Sequence, residues 1–477
     1  EKPLISISII GHVDSGKSTL TGRLATVFGD YDARAQEKMA KIAADYKKES
    51  FNFAYYTDKT EQERKRGVTI NTTLVEMQTK KFRINFLDCP GHADYIKNAI
   101  SGCKQSDLSV VVVPADFQAS CSSEGTLGTH ITLASVLSSK NFIVCVNKLD
   151  EVAAKNSSDL KTTFDAACAA VAKLLKKVGV DKDKVIFLPI SALQGVGLFE
   201  GGETFPFYEG CKPAVAKPGF ECIKTLEEAI NYQDVPVRPV TRPLRMPLSN
   251  VAHVAGHGAI FCGRIDYGSL KKGDLVKFLP TNLKTDVKNV QEHRKDIAVG
   301  EAGMNVGFSI NCKDKIQIDK IKTGHIVGPA DDNEFAFYPF YVANCFSLKP
   351  KSKGGEERGI RPGYTPVLSG GTANVACKFV KILGCVTKTG PVEDPAFVPN
   401  GARFSVLLYP SKPVLFETAD KLPFLGKFVC RDSGIIVAAG QITERLTEDE
   451  AVAKYGVNMA DVLGQKPVAA AGKAKKK

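Results

Sequence analysis

Gly11-His12-Val13-Asp14-Ser15-Gly16-Lys17-Ser18 sits between an alternating apolar run, Ile5 to Ile10, and a leucine-containing stretch, Thr19 to Phe28. The run reads as a buried strand and the stretch as a helix. The eight residues fit the pattern G-x-x-x-x-G-K-[S/T]. Its glycines let the backbone wrap an anion with N–H groups pointing inward, at the positive end of the helix. In that pattern Lys17 reaches the β- and γ-phosphates of a nucleotide, and Ser18 offers its hydroxyl to Mg²⁺. A lone match is also what an accidental Gly-rich turn produces, so its weight comes from the residues downstream.

Outward from this loop, Phe82–Leu87, Leu108–Val113, Phe142–Val146 and Val185–Ile190 are short runs rich in β-branched or aromatic residues, separated by helical stretches. Buried strands alternating with helices predict a mostly parallel α/β sheet over residues 1–238, with its ligand at the carboxyl ends of the strands. The character changes at Val235-Pro236-Val237-Arg238-Pro239. Beyond it Gly and Pro recur roughly every 8–12 residues between short runs such as Ala259–Phe261, Leu275–Phe278 and Val306–Ile310, which predicts β-barrels or sandwiches. Further breaks fall at residues 328–333 and near Glu444, after the strand-like Ile435–Ile442. The expected division is 1–238, 239–329, 330–445 and a last segment, 446–477. In that segment Thr447-x-x-Glu450 caps a short helix through Tyr455, ahead of a lysine-rich tail.

The 477 residues are 43% hydrophobic and 24% charged, a globular composition, and carry a net charge of +12. That charge suits a polyanionic partner. The 13 cysteines include no C-x-x-C pair, so a disulfide framework or zinc ribbon is not indicated, and reduced thiols in a cytoplasmic protein are expected. His253 and His257 are four apart, but glycines flank the second and the helix that a metal pair needs is not indicated. No apolar run reaches ~18 residues and no signal-peptide profile opens the chain, so no membrane association is expected.

Asp88-Cys89-Pro90-Gly91-His92 follows the strand ending at Leu87. There Asp88 can hold Mg²⁺ through water, and Gly91 can give its N–H to a γ-phosphate, a hydrogen bond that ends when the phosphate is hydrolysed away. Asn147-Lys148-Leu149-Asp150 ends the next strand but one. The Asp150 carboxylate can accept N1–H and the exocyclic amine of guanine, whereas adenine would oppose it with a lone pair. Lys148 can lie along the ring and Asn147 can tie loops together. Ser191-Ala192-Leu193 can offer a backbone N–H to the guanine carbonyl. Thr69, in Arg66-Gly67-Val68-Thr69-Ile70, can complete Mg²⁺ coordination, or it can simply open a strand Thr69–Val75. His92 is the candidate that positions an attacking water, with Val13 and Val68 as an apolar gate.

With these motifs assembled, residues 4 to 442 resemble the elongation factor 1-alpha family of translational GTPases, relatives of bacterial elongation factor Tu. The likeness continues through Arg242-Pro243-Leu244-Arg245-Met246-Pro247, Gly363-Tyr364-Thr365-Pro366-Val367 and Ala376-Cys377-Lys378. Tyr56–Thr60 and Leu226–Pro236 look most like the microsporidian versions. The resemblance implies a P-loop GTPase domain followed by two β-barrels, binding GTP or GDP with Mg²⁺. It implies delivery of aminoacyl-tRNA to the ribosomal A site as a monomer. The ribosome then triggers hydrolysis, an exchange factor of the elongation factor 1-beta type reloads GTP, and actin binding is a second activity. By resemblance Lys17 serves phosphate, Ser18, Thr69 and Asp88 serve Mg²⁺, His92 serves the catalytic water, and Asn147, Lys148 and Asp150 read guanine. Arg264, Asp266 and Asn305 match positions near the pocket for the aminoacyl end.

The chain departs from the family pattern where tRNA is expected: Asn250-Val251-Ala252, Asn374, Ala93 after His92, and Arg431-Asp432-Ser433-Gly434-Ile435-Ile436. A rival reading is a paralogue carrying a release or ribosome-rescue factor. Such paralogues typically have a long N-terminal extension and an altered threonine loop. The start four residues before the first strand and the intact Arg-Gly-Val-Thr-Ile favour the tRNA carrier. A purely structural, polyanion-binding role has no need of Lys17, Thr69, His92 and Asp150 together.

Overall fold

A computed structural model of the chain describes residues 2–29, 63, 69, 72–92, 95–116, 125–138, 140–155, 160–254, 258–292, 295–312, 314–348, 359–370, 373–387, 390–433 and 435–463. Val68, Ala93, His257, Gly434, the stretch 56–60 and the lysine tail lie outside the described residues. Packing divides the chain into two units. One comprises residues 1–276, 284–323 and 327–329, the other 277–283, 324–326 and 330–477.

The first unit opens with a six-stranded sheet ordered β2-β3-β1-β4-β5-β6. Its strands are β1 (Leu4–Gly11), β2 (Thr73–Gln78), β3 (Arg83–Asp88), β4 (Leu108–Pro114), β5 (Phe142–Asn147) and β6 (Ile186–Pro189). All neighbours are parallel except β2, which pairs antiparallel with β3. The helices are α1 (Lys17–Phe28), α2 (Ile96–Lys104), α3 (Thr126–Leu137), α4 (Leu149–Lys155), α5 (Leu160–Lys177) and α6 (Leu226–Tyr232). Ile5, Ile7 and Ile9 bury one face of β1 against Leu20, Leu24 and Ala25 of α1 and Leu226 and Ile230 of α6. The alternate residues Val111, Val113, Val144 and Val146 are also buried. A sheet covered on both faces explains why these strands carry apolar or small residues at nearly every position.

Expected boundaries move at β2 and at α1. The expected strand Thr69–Val75 is instead Thr73–Gln78, because Thr79 closes a tight hairpin onto Phe82 (N···O 2.9 Å) and pairs Gln78 with Arg83. Helix α1 starts two residues before Thr19, because Gly16, in left-handed geometry, is its cap.

Beyond the α/β sheet come β7 (Met246–Val254), β8 (Gly258–Arg264), β9 (Ser269–Lys271), β10 (Leu275–Leu279), β11 (Leu283–Glu292), β12 (Lys295–Asp296), β13 (Val299–Glu301), β14 (Asn305–Ile310) and β15 (Ile326–Pro329). Their order β10-β15-β7-β8-β14-β11-β12, with β10 also paired to β11, closes a six-stranded antiparallel barrel. A short helix, α7 (Lys315–Asp319), precedes β15.

The second barrel is built from β16 (Phe340–Ser347), β17 (Val367–Gly370), β18 (Ala373–Thr387), β19 (Gly390–Glu393), β20 (Arg403–Pro410), β21 (Lys427–Asp432) and β22 (Ile435–Leu446). It closes through β17–β18 and carries the turn α8 (Pro423–Gly426). Strand β22 runs past the break near Glu444 because Phe340 pairs with Leu446. Next come α9 (Glu448–Tyr455), with both arms of the Thr447/Glu450 capping box formed, and α10 (Met459–Val462). Ala451, Val457 and Val462 pack on Phe340 and Leu407 of the barrel.

Candidate active site

Parallel pairing fixes where the loops emerge. Ile9 lies opposite Asp88, Gly11 opposite Val112, Pro114 opposite Asn147, and Val146 opposite Pro189. The phosphate loop, Asp88, Asn147 and Ser191 therefore leave the sheet at one edge, the carboxyl ends of the strands, where α/β folds bind ligands.

In the loop, Gly16 has φ 90°, and a Cβ there would stand 2.3 Å from Asn147 Nδ2, so any side chain would clash. Asp14 also adopts positive φ, 60°, which a short polar residue tolerates best. His12 Nδ1 donates to the Val13 carbonyl (2.7 Å), and Lys17 Nζ donates to the His12 carbonyl (2.6 Å). A Cβ on Gly91 would be 2.4 Å from Lys17 Nζ, so the ammonium rests directly on the Asp88–Gly91 loop. Ser18 Oγ is 2.9 Å from Thr69 Oγ1; Asp88, which ends β3, and Cys89, ahead of Pro90, are fully buried. Thr19 follows within α1. His92 is exposed, its ring 5.7 Å from that of Tyr95. Its expected gate partner Val13 is partly buried, and the other, Val68, lies outside the described residues.

Asn147 joins the two ends of the site. Its Nδ2 donates to the Ser15 carbonyl (2.9 Å), and its Oδ1 accepts from Ala192 N–H (2.9 Å). Lys148 follows at φ 64°, and Asp150 stands partly buried in the first turn of α4. Ser191 Oγ accepts from Gln194 N–H (3.1 Å), which curls the loop so that Leu193 is 45% exposed.

One residue near the loop escaped the motif reading. His130 of α3 is fully buried and its Nδ1 donates to the Gly11 carbonyl (3.2 Å), beneath the phosphate loop. Burial, seconded by the Lys17 ammonium, pushes it down to about 3, so it stays neutral at physiological pH. A lone histidine in an apolar helix carries no spacing signal, and only the tertiary contact reveals it.

The residues likened to an aminoacyl pocket occupy a buried charge cluster within the first unit. Arg264 Nη2 lies 3.8 Å from Asp107, in the bend just before β4, and Nη1 lies 3.9 Å from Asp266, while Asn305 pairs with Arg264 in register. Burial pushes Asp266 up to about 6, against the pull of Arg264 and Lys104. Asp107 also receives a bidentate pair from Arg238 (2.9 and 2.8 Å), which reaches the Leu4 carbonyl as well (2.8 Å). In the second barrel, Arg431 Nη2 donates to Asn374 Oδ1 (2.9 Å), and Ser369 Oγ donates to the same oxygen (3.0 Å). Two of the departures thus bind one another. Asn250, Val251 and Ala252 line up along β7.

Residues 2–233 match the family described as Elongation factor Tu GTP binding domain, and residues 355–443 match the GTP-eEF1A C-terminal domain-like family. The chain is 38% identical over 477 residues to elongation factor 1-alpha of Encephalitozoon cuniculi, covering 100% of this chain and 98% of that protein. The chain belongs to the elongation factor 1-alpha family. A second member, from Aspergillus oryzae, is 37% identical over 448 residues, 93% of this chain and 94% of that protein. The GTPase-like domain of Saccharomyces cerevisiae Ski7, solved with GDP and inorganic phosphate, has the same fold (TM-score 0.74, 15% identity, 93% of this chain and 98% of that one). Membership makes this chain a translational GTPase with a guanine-nucleotide site, and the microsporidian likeness agrees with the relative from E. cuniculi. Among the described residues no helix is long and apolar enough to cross a membrane.

Proposed function

We propose that this chain carries aminoacyl-tRNA to the ribosomal A site as a GTP complex and hydrolyses that GTP when the ribosome stimulates it. The observation that supports this most is Asn147, which holds the phosphate loop and the Ser191–Leu193 loop in one arrangement. In this reading the loop Gly11–Ser18 and Lys17 bind the phosphates, and Asp150 and Lys148 take guanine. His92 orients the attacking water, leaving the inward-pointing N–H groups and Lys17 to stabilise the developing charge. The exposure of His92 fits a residue held out of the site, by Val13 and Val68, until the ribosome brings it in.

The oxygen donors suit a magnesium ion. Two hydroxyls 2.9 Å apart have the separation of adjacent ligands in an octahedron with bonds of about 2.0–2.1 Å. Ser18 and Thr69 would hold the ion directly and Asp88 through water, and the chemistry supplied by such an ion would be charge neutralisation at the phosphates. An exchange factor of the elongation factor 1-beta type reloads GTP. The protein acts as a cytoplasmic monomer, and its net charge of +12 supports a secondary association with actin or other polyanions.

The test is protection of the aminoacyl ester: charged tRNA is mixed with the protein and GTP or GDP, and deacylation is followed. The chain has no tryptophan, so the chemical readout replaces indole fluorescence. Protection with GTP and not with GDP is expected. No protection by GTP-loaded protein would reject the tRNA carrier in favour of a release-factor-type carrier.

A further inference from the structure

Arg23 stands in the second turn of α1, on the side facing the Ser191–Gly195 loop. Its Nε donates to the Ala192 carbonyl (3.4 Å) and its Nη2 to the Leu193 carbonyl. Its guanidinium also rests on Gly195, where a Cβ would lie 3.6 Å from Nε. Ala192 is therefore gripped from both sides, its N–H by Asn147 and its C=O by Arg23.

The peptide between Ala192 and Leu193 is planar, and in a trans peptide the C=O and the following N–H point in opposite directions. Anchoring the Ala192 carbonyl on Arg23 thus turns the Leu193 N–H away from α1. Among the described residues that N–H has no acceptor, and Leu193 is 45% exposed. We infer that Arg23 is a positioning residue for base recognition, fixing the Ala192–Leu193 peptide plane so that Leu193 N–H meets O6 of guanine. The inference rests on the guanine reading above and adds a division of labour. Asp150 reads N1–H and the 2-amino group, and the Arg23-held peptide reads position 6. A lysine at 23 would keep the charge but not the planar fork that spans two successive carbonyls.

The experiment is equilibrium competition against a fluorescent GDP derivative on the full chain, with GDP, 6-thio-GDP, IDP and ADP as competitors. 6-Thio-GDP changes only the acceptor at position 6, and IDP lacks only the 2-amino group. In R23A the preference for GDP over 6-thio-GDP should fall roughly three- to tenfold, the range of one neutral hydrogen bond, while GDP over IDP stays unchanged. R23K should fall between R23A and the wild type, and it carries the same comparison if R23A does not fold. Equal weakening of GDP, 6-thio-GDP and IDP, or no change in any, would overturn the inference and leave Arg23 a packing residue. A wild-type protein that does not prefer GDP to ADP would instead overturn the guanine reading itself.

Discussion

Replacing Asn147 with alanine removes both arms of the clamp between the phosphate loop and the base loop. The Ser15 carbonyl and the Ala192 N–H each lose a 2.9 Å partner, and Ser15 and Ala192 are 0% and 1% exposed. A buried polar group left without a partner costs about 1–3 kcal/mol, so the two together cost about 2–6 kcal/mol in the arrangement that holds nucleotide. At about 1.4 kcal/mol per decade, the lower end already corresponds to a roughly thirtyfold loss of affinity. The assay is stopped-flow release of a fluorescent GDP derivative, since the chain offers no tryptophan. Asn147→Asp separates the arms, because it still accepts from Ala192 but sets an oxygen against the Ser15 carbonyl. Release should accelerate in both variants, and in Asn147→Asp the buried carboxylate facing a carbonyl oxygen adds repulsion to the lost donor. An Asn147→Ala protein that releases nucleotide within threefold of the wild type, with an unchanged melting temperature, would refute the clamp.

Three further outcomes are expected. Asp107→Ala strands Arg238 and removes a partner of Arg264, so it should destabilise the protein by about 3–5 kcal/mol in urea unfolding; a loss below about 1 kcal/mol would contradict the buried pairing. Asp266 titrates at about 6 in the folded protein, against about 3.9 unfolded. Between those values the folded state binds the extra proton, so this group's contribution falls as pH rises from about 4 to 6, by about 3 kcal/mol in all. The wild-type-minus-Asp266→Asn difference in unfolding free energy, taken at pH 4.5 and 6.5, should show that slope, and a flat difference would rule it out. Thr447→Ala breaks the capping box of α9 and should cost about 1 kcal/mol, seen as faster amide exchange across residues 448–455 with the barrel unaffected.

The fold class was legible because its signals are local. The runs Ile5–Ile10, Phe142–Val146 and Leu108–Val113 are apolar but for the small residues Ser6, Ser8 and Ser109, because β1, β5 and β4 are buried on both faces. Gly11–Ser18 announces its loop because Gly16 cannot carry a Cβ and Lys17 must reach the anion. The capping box at Thr447 needs only residues three apart. Nothing local placed β2: its bounds follow from the hairpin onto β3, and the strand reads as starting earlier than it does.

Sequence by itself therefore determined the α/β-then-barrel order, the guanine-nucleotide motifs and the family. Tertiary structure decided what those residues touch. It joined Asn147 to both Ser15 and Ala192, set His130 under Gly11, and turned Arg264 onto Asp107 across more than 150 residues of chain. It also laid Arg23 across the loop at Ala192 and Leu193. The physical reason is range. Backbone conformation and strand burial follow from near neighbours and periodicity, whereas a hydrogen bond between distant segments exists only once the sheet has brought their ends together.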